Sequence, residues 1–412
     1  MATLAGHRGA FYSSRRMCLQ LEAADETITV SDPAGGELDF ALTADFSIEM
    51  WVKIAVVDDG LVLDKYSATD YGYMIEVDGT GHFEFTIGDG TNTPSIVGGT
   101  AVNDNKWHHL LCVRDASVND KLYMYLDGAS DAAGVADTTT GTLANAEDLV
   151  VGPTDTECHR DVIMFRIFDS AISAANAAKL YAGDWPQLDA YVVGSWACIE
   201  GSGTSVLDDS ANRNNAVVSA AAAINWAAAG YDTEAAEVPT GAINAVNKTY
   251  TLAYTNVDCD GVTITVDAVA LTKNGYTLTP KGTIVCVTAP AASITVTYNH
   301  YPATLEAGEF FGWTFDYTAD VLDTTTFGNT ARTYLGNLTG WTGSAECYVV
   351  NAGNACDVGS KLIVKFYHDE TGAERLEGWG YVSGVSRDVE PGAIVHQSVN
   401  FQGTDDVGIE ST

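Results

Sequence analysis

The sequence predicts an all-β protein, built at least in part as a sandwich or jelly roll. Three observations carry this. Period-two alternation of apolar and polar residues recurs along the chain, Gly, Asn and Asp turns interrupt it, and convincing helical patterns are few. In YMIEVDGTGHFEFTIGDG, Tyr73, Ile75 and Val77 point one way before the DGTG turn, and Phe83, Phe85 and Ile87 do so after it. This is a hairpin with one apolar face. KLYMYLDG alternates likewise, with Leu122, Met124 and Leu126 on one side. The best helical stretch is SAISAANAAKLYAG, with Ser170 or Ser173 placed as N-cap and Gly183 as C-cap. Further on, residues 242–302 read as several short strands, with Ile294, Val296 and Tyr298 on one face.

Composition narrows the function. The 412 residues include 55 acidic and 20 basic side chains, a formal net charge of −35. Such a balance argues against a protein that coats nucleic acid and against docking on anionic lipid, since both need clustered Lys and Arg. The length allows two or three domains, because single cores stop growing at roughly 250–300 residues. The opening MATLAGHRGAFYSSRRMC lacks the apolar core of a secretory signal, and no stretch reaches the ~20 apolar residues of a membrane span. The expectation is therefore a soluble protein made in a cytoplasm, without membrane insertion. Its eight Cys (18, 112, 158, 198, 259, 286, 347 and 356) are scattered without a CxxC pair and read as buried thiols rather than zinc ligands.

Residues 216–237 are Ala-rich and run into the acidic DTEAAEVPTG, which reads as a linker; Pro302 marks a second boundary. Candidate chemistry is sparse. Glu49 in IEMW has no acidic partner two residues on, so it reads as a strand residue rather than half of a catalytic carboxylate pair. His108 and His109 beside Trp107 could suggest a site. Asn256, Asp258, Asp260, Gly261 and Asp267 mimic the oxygen spacing of a calcium loop, but they sit between strands and lack the bidentate Glu; a hairpin turn explains them better. The expectation is no catalytic residue, no metal and no cofactor.

Two resemblances add to this reading. FSIEMWVK (Phe46–Lys53), LVLDKY with YGYMIEV, NKWHHLLCVRD (Asn105–Asp115), LYMYLDG and DVIMFRIFDSAIS occur in the order of the laminin-G-like, concanavalin-type jelly roll, which residues 19 to about 184 resemble. WACIEGSGTSVLDDSANRNN (Trp196–Asn215) is similar to a segment that precedes the jelly roll in many relatives and follows it here. At the other end, GWTFDYTADVLDTTTFGNTARTYLGNLTGWTGSAECY (Gly312–Tyr348), VGSKLIVKFYHDETG and the closing EGWGYVSGVSRDVEPGAIVHQSVNFQGTDDVG resemble the major tail tube proteins of long-tailed bacteriophages. MATLAGHRGAFYSS (Met1–Ser14) resembles their opening. The domain reading is a first tube strand at 1–14, a jelly roll with its Ala-rich linker at 15–237, a small β module at 238–302, and the remainder of a tube β-sandwich or barrel at 303–412.

The tube resemblance implies a virion structural protein that is not an enzyme, assembled in the host cytoplasm into the tail. Its subunits would form stacked, hexameric rings, adjoin other tail proteins and pass genomic DNA through the lumen without binding it specifically. The jelly roll would be a surface decoration, with host glycans as candidate ligands. Apolar residues on both faces of KLIVKFYHD suggest burial by a core on one face and by neighbouring subunits on the other, against the alternative of a sandwich within one chain. The rival functions are a carbohydrate-binding adhesin, with Tyr66, Tyr71 and Trp185 as available aromatics, a glycan-cleaving enzyme, disfavoured by the missing paired carboxylates, and a capsid decoration protein.

Overall fold

The computed structural model describes residues 9–13, 17–21, 26–55, 60–69, 71–152, 160–182, 188–198, 200, 202–219, 225–229, 231–254, 256–259, 261–301, 308–310, 312–323, 334–348, 358–367, 374–388 and 396–411. The chain is all-β and divides into two units. Described residues between 16 and 230 form one; those before 16, Tyr231–Tyr301 and those from 308 onward form the other.

The first unit is a jelly roll of two sheets. One runs Ala129–Ser130, Lys121–Leu126, Trp107–Asp115, Phe46–Ile54, Arg160–Phe168, Met17–Leu21, Asn225–Ala228, with Val192–Ala197 also on Arg160–Phe168. The other runs Ser205–Val206, Ala216–Ser219, Thr27–Val30, Leu149–Val151, Gly60–Tyr66, Tyr71–Val77, His82–Asp89, Ser95–Ala101. Their inner faces meet in one core. Ile48, Met50 and Val52 come from the first sheet; Tyr73, Ile75, Phe83 and Phe85 come from the second, as the alternation of the hairpin requires. Phe40 stacks on Phe46 with ring centres 4.2 Å apart, and truncating a ring such as Phe85 would cost about 3–5 kcal/mol.

The helix spans Ala174–Tyr181. Ser173 caps it, its hydroxyl accepting from the Asn176 N–H at 3.4 Å. The C-cap is Ala182 rather than the expected Gly183, which lies outside the described residues; a right-handed φ of −69° at Ala182 makes a glycine unnecessary there. Ala177 and Leu180 bury against Leu111, Val113 and Phe168 on the outer face of the first sheet. Trp196 is fully buried and stacks on Phe165 at 4.7 Å, which fixes the segment that follows the helix.

The Ala-rich stretch is not a plain linker. Ala216–Ser219 pairs with Thr27–Val30, Asn225–Ala228 with Met17–Leu21, and Asp232–Glu237 with Ile294–His300. Small side chains gave the sequence no visible period, yet backbone pairing needs none.

The second unit contains a seven-stranded antiparallel sheet ordered Gly308–Phe310, Gly9–Ser13, Lys361–Tyr367, Glu374–Asp388, His396–Ser411, Tyr334–Tyr348, Gly312–Asp323. The N-terminal strand pairs Gly9 with Phe366 through Ser13 with Leu362. Lys361–Tyr367 and Gly312–Asp323 stand four places apart, roughly 19 Å on a flat sheet, yet Trp313 and Phe366 have ring centres 5.2 Å apart. The sheet is therefore rolled on itself, around Trp341, Leu362, Val364, Phe366, Val399 and Phe401. Trp341 lies over the cross-strand pair Gly380–Gly403, where a Cβ on Gly403 would come within 2.3 Å of the ring.

The opposite face of Lys361–Tyr367 is also covered from within this unit. Ile363, Tyr367 and Trp379 share a core with Tyr250, Val257, Ile264, Val296 and Tyr298 of the segment 249–301, whose strands form two small sheets. Trp379 Nε1 donates to the Val257 carbonyl at 2.7 Å, and Lys361 pairs with Asp258 at 2.7 Å. The two apolar faces of this strand therefore follow the single-chain alternative; no neighbouring subunit is needed to explain them.

Candidate functional site

Antiparallel pairing brings four loops to one end of the jelly roll. Val30 pairs with Leu149, Val151 with Leu63, Tyr66 with Gly72, and Tyr71 with Asp89. The loops after Val30, after Tyr66, after Asp89 and before Leu149 consequently meet. Side chains lock them together. Asp89 is buried, and its carboxylate accepts from the N–H groups of Thr91 (2.9 Å), Asn92 (2.7 Å), Thr140 and Gly141 (2.9 Å). Burial opposes ionisation of Asp89, but these donors outweigh it and hold the carboxyl well below its usual range. Asn145 Nδ2 donates to the carbonyls of Tyr71 (2.8 Å) and Lys65 (3.1 Å), while Leu143 N–H donates to Phe40 O at 2.9 Å.

On this frame stand the aromatics singled out from sequence. Tyr71 is half-buried and its ring crosses Gly90, where φ is +78° and a Cβ would lie 2.4 Å from the ring. Tyr66 is half-buried at the same hairpin tip, on the alternate face. Asn92, in the loop after Asp89, donates from Nδ2 to Thr140 Oγ1 at 3.4 Å. Trp185 lies outside the described residues. Sequence reasoning missed Asp89, Asn145 and Lys65, because each acts across a gap of tens of residues; the DGTN turn at Asp89–Asn92 was the one local signal.

The other flagged residues are placed elsewhere. Glu49 and His109 lie on adjacent strands of the first sheet, fully buried on its outer side, with His109 Nε2 to Glu49 Oε1 at 3.0 Å and Arg166 Nε to Glu49 Oε2 at 3.2 Å. Burial pushes the Glu49 carboxyl up, but Arg166 and His109 prevail and lower it. His108 sits between Asp127 (2.9 Å) and Asp104 (3.2 Å); burial alone would depress it, yet the two carboxylates raise it to about 9. The His108 ring is bonded at both nitrogens, as a structural role requires, whereas Glu49 Oε2 and His109 Nδ1 are buried without a hydrogen-bond partner among the described residues.

The calcium-like spacing does not converge. Asp258 is turned to Lys361, whereas Asp267 accepts from the N–H groups of Ala291, Ala292 and Ser293; Asp260 lies outside the described residues. Among the described residues no group of three His, Cys, Asp or Glu could hold a metal ion. Cys18, Cys112, Cys198, Cys259 and Cys286 are buried thiols outside any disulfide, and burial pushes the Cys18 thiol up to about 12. Glu76 stands opposite Glu84 across the hairpin, and its carboxyl is raised by burial, Glu84 and Asp78.

Comparison with known proteins bears on the jelly roll. Residues 24–178 match the family model described as the Concanavalin A-like lectin/glucanases superfamily, laminin-G type. This segment is thus a laminin-G-like, concanavalin-type jelly-roll domain. A search of curated proteins finds no significant match. Among solved structures, a Bacteroides ovatus protein described as carbohydrate-binding is 13% identical with a TM-score of 0.38, over 52% of this chain and 60% of its own length. The heptameric SAP-like pentraxin of Limulus polyphemus is 10% identical with a TM-score of 0.31, over 53% of this chain and 97% of that one. The binding domain of botulinum neurotoxin serotype G is 13% identical with a TM-score of 0.33, over 90% and 81%. Likenesses this distant carry no functional weight.

Proposed function

We propose that the chain is a carbohydrate-binding protein of the adhesin or decoration type, whose recognition surface is the four-loop end of the jelly roll. The observation that carries the reading is the loop frame itself. Half-exposed Tyr66 and Tyr71 stand at the strand ends, on alternate faces, next to loops that carry Asn92 and Thr140 and are fixed by internal hydrogen bonds before any ligand arrives. Rings of this kind stack on sugar faces, and preorganised polar groups add orientation without an ordering cost. Membership of the segment in a lectin and glucanase superfamily supports the same reading. Asp32, Asp39, Asp64, Glu147 and Asp148 surround this end, so a neutral oligosaccharide suits it better than an anionic one. Binding without hydrolysis is expected. Reducing-sugar release from β-glucans by the full chain, abolished in Glu76→Gln, would show an enzyme instead. A glycan array probed with the full chain, followed by titration of any hit against Tyr71→Ala and Tyr66→Ala, tests the proposal; a loss of about 10-fold in affinity is the expected scale for one stacking ring.

A second reading is a tail tube subunit of a bacteriophage virion, assembled in the host cytoplasm and carrying the jelly roll as decoration. It is supported by Gly9–Ser13 lying between Gly308–Phe310 and Lys361–Tyr367, so that both chain ends contribute to one rolled sheet. Negative-stain microscopy separates the readings: regular tubes favour the subunit, discrete particles the binder.

A further inference from the structure

The same end of the jelly roll holds a charged group that the glycan reading does not use. Lys65 is in a strand, its side chain is 1% exposed, and its ammonium is surrounded by oxygens. Asp32 Oδ1 lies at 2.8 Å and the Glu147 carbonyl at 2.7 Å; Asp39 Oδ1, the Asn145 carbonyl and Asn145 Oδ1 each lie at 3.4 Å. Two carboxylates, two backbone carbonyls and an amide oxygen make the donor set of a hard cation. An ammonium, with only three protons to give, meets five such oxygens here. The donors come from two loops more than a hundred residues apart in sequence, and they are themselves tied. Asp32 N–H donates to Asp148 Oδ1 at 2.9 Å, Asn145 N–H to Asp39 Oδ1 at 3.3 Å, and Glu147 N–H to Asn145 Oδ1 at 2.8 Å.

We infer that Lys65 fills a cation site with the chain's own ammonium, so that the loop end is held closed without a metal ion and is indifferent to calcium. The covalent stem delivers the charge from the strand, and the oxygens converge on it as they would on an ion. Removing the ammonium leaves converging carboxylates that repel one another and a space lined by oxygen, which a hard divalent cation can enter. The inference stands apart from sugar binding, whose failure would not touch it.

The test uses the full chain as wild type, Lys65→Ala and Lys65→Met, each unfolded thermally in EDTA and in calcium chloride, with calcium binding followed by titration calorimetry. The net charge of −35 will attract calcium unspecifically, so the readout is the difference between proteins. Wild type should unfold at the same temperature in both solutions. Lys65→Ala should unfold lower in EDTA, gain one additional calcium site with a Kd of about 1 mM or tighter, and recover several degrees in calcium. Lys65→Met, which fills the space with an uncharged chain, should unfold lower and not recover. A calcium-dependent shift in wild type would overturn the inference, as would a Lys65→Ala protein without calcium-dependent recovery. A Lys65→Ala protein that fails to fold even in calcium would count against it equally.

Discussion

Glu49 sits at the centre of a buried ionic group, with His109 on the adjacent strand and Arg166 across the other neighbour. Removing Glu49 leaves the Arg166 guanidinium without this counter-ion in a low-dielectric site. Glu49→Ala is therefore expected to destabilise the jelly roll by about 3–5 kcal/mol, read from the urea midpoint of its unfolding. His108 gives a pH signature of opposite sense to an acid-labile carboxylate. Its folded value, near 9, lies above the unfolded value of about 6.5, so its contribution is complete below pH 6.5 and lost as pH rises through 9. This is worth about 3 kcal/mol at most. The difference in stability between wild type and His108→Gln should shrink over that window, and a difference independent of pH would place the stabilisation elsewhere. Neither role was legible from sequence. Glu49 was read as an ordinary strand residue because its partners are 60 and 117 residues away. The WHH stretch was legible only as a strand.

Among elements, the hairpin Tyr71–Asp89 shows why alternation is a dependable signal. Tyr73, Ile75, Phe83 and Phe85 must all point inward for either strand to bury anything, and a slip by one residue would expose them all. The strand Lys361–Tyr367 shows where alternation misleads. Both faces are apolar, and the pattern cannot say whether the second cover is a subunit or a segment of the same chain; here Tyr250, Val257 and Val296 supply it. Residues 216–237 fail in the opposite direction, since alanines carry too little side chain to reveal which backbone groups pair. The strand Gly9–Ser13 is bonded on both edges, to Gly308–Phe310 and to Lys361–Tyr367. Deleting it would strip partners from two strands at about 1–3 kcal/mol for each buried group left unpaired. The rolled-sheet unit should then unfold at lower temperature while the jelly roll keeps its own transition; one unchanged melting curve would show that the strand is dispensable.

At the scale of the molecule, two units, each with hydrophobic cores of its own, predict two unfolding transitions. Their assignment follows from the variants: Phe85→Ala should move one, Phe366→Ala the other. The net charge of −35 sets the conditions under which any association occurs, because repulsion between copies extends only about 8 Å at physiological ionic strength. If copies assemble, assembly should be faster at high salt than at low, and equal rates would put the charge far from the contacts. The sugar-binding reading is tested most directly by calorimetric titration of the full chain with neutral oligosaccharides selected from an array. Saturable binding to at least one of them is expected, weakened about 10-fold in Tyr71→Ala and unchanged in Tyr317→Ala on the other unit. Binding that survives loss of both Tyr66 and Tyr71, or no binding across the array, would contradict it.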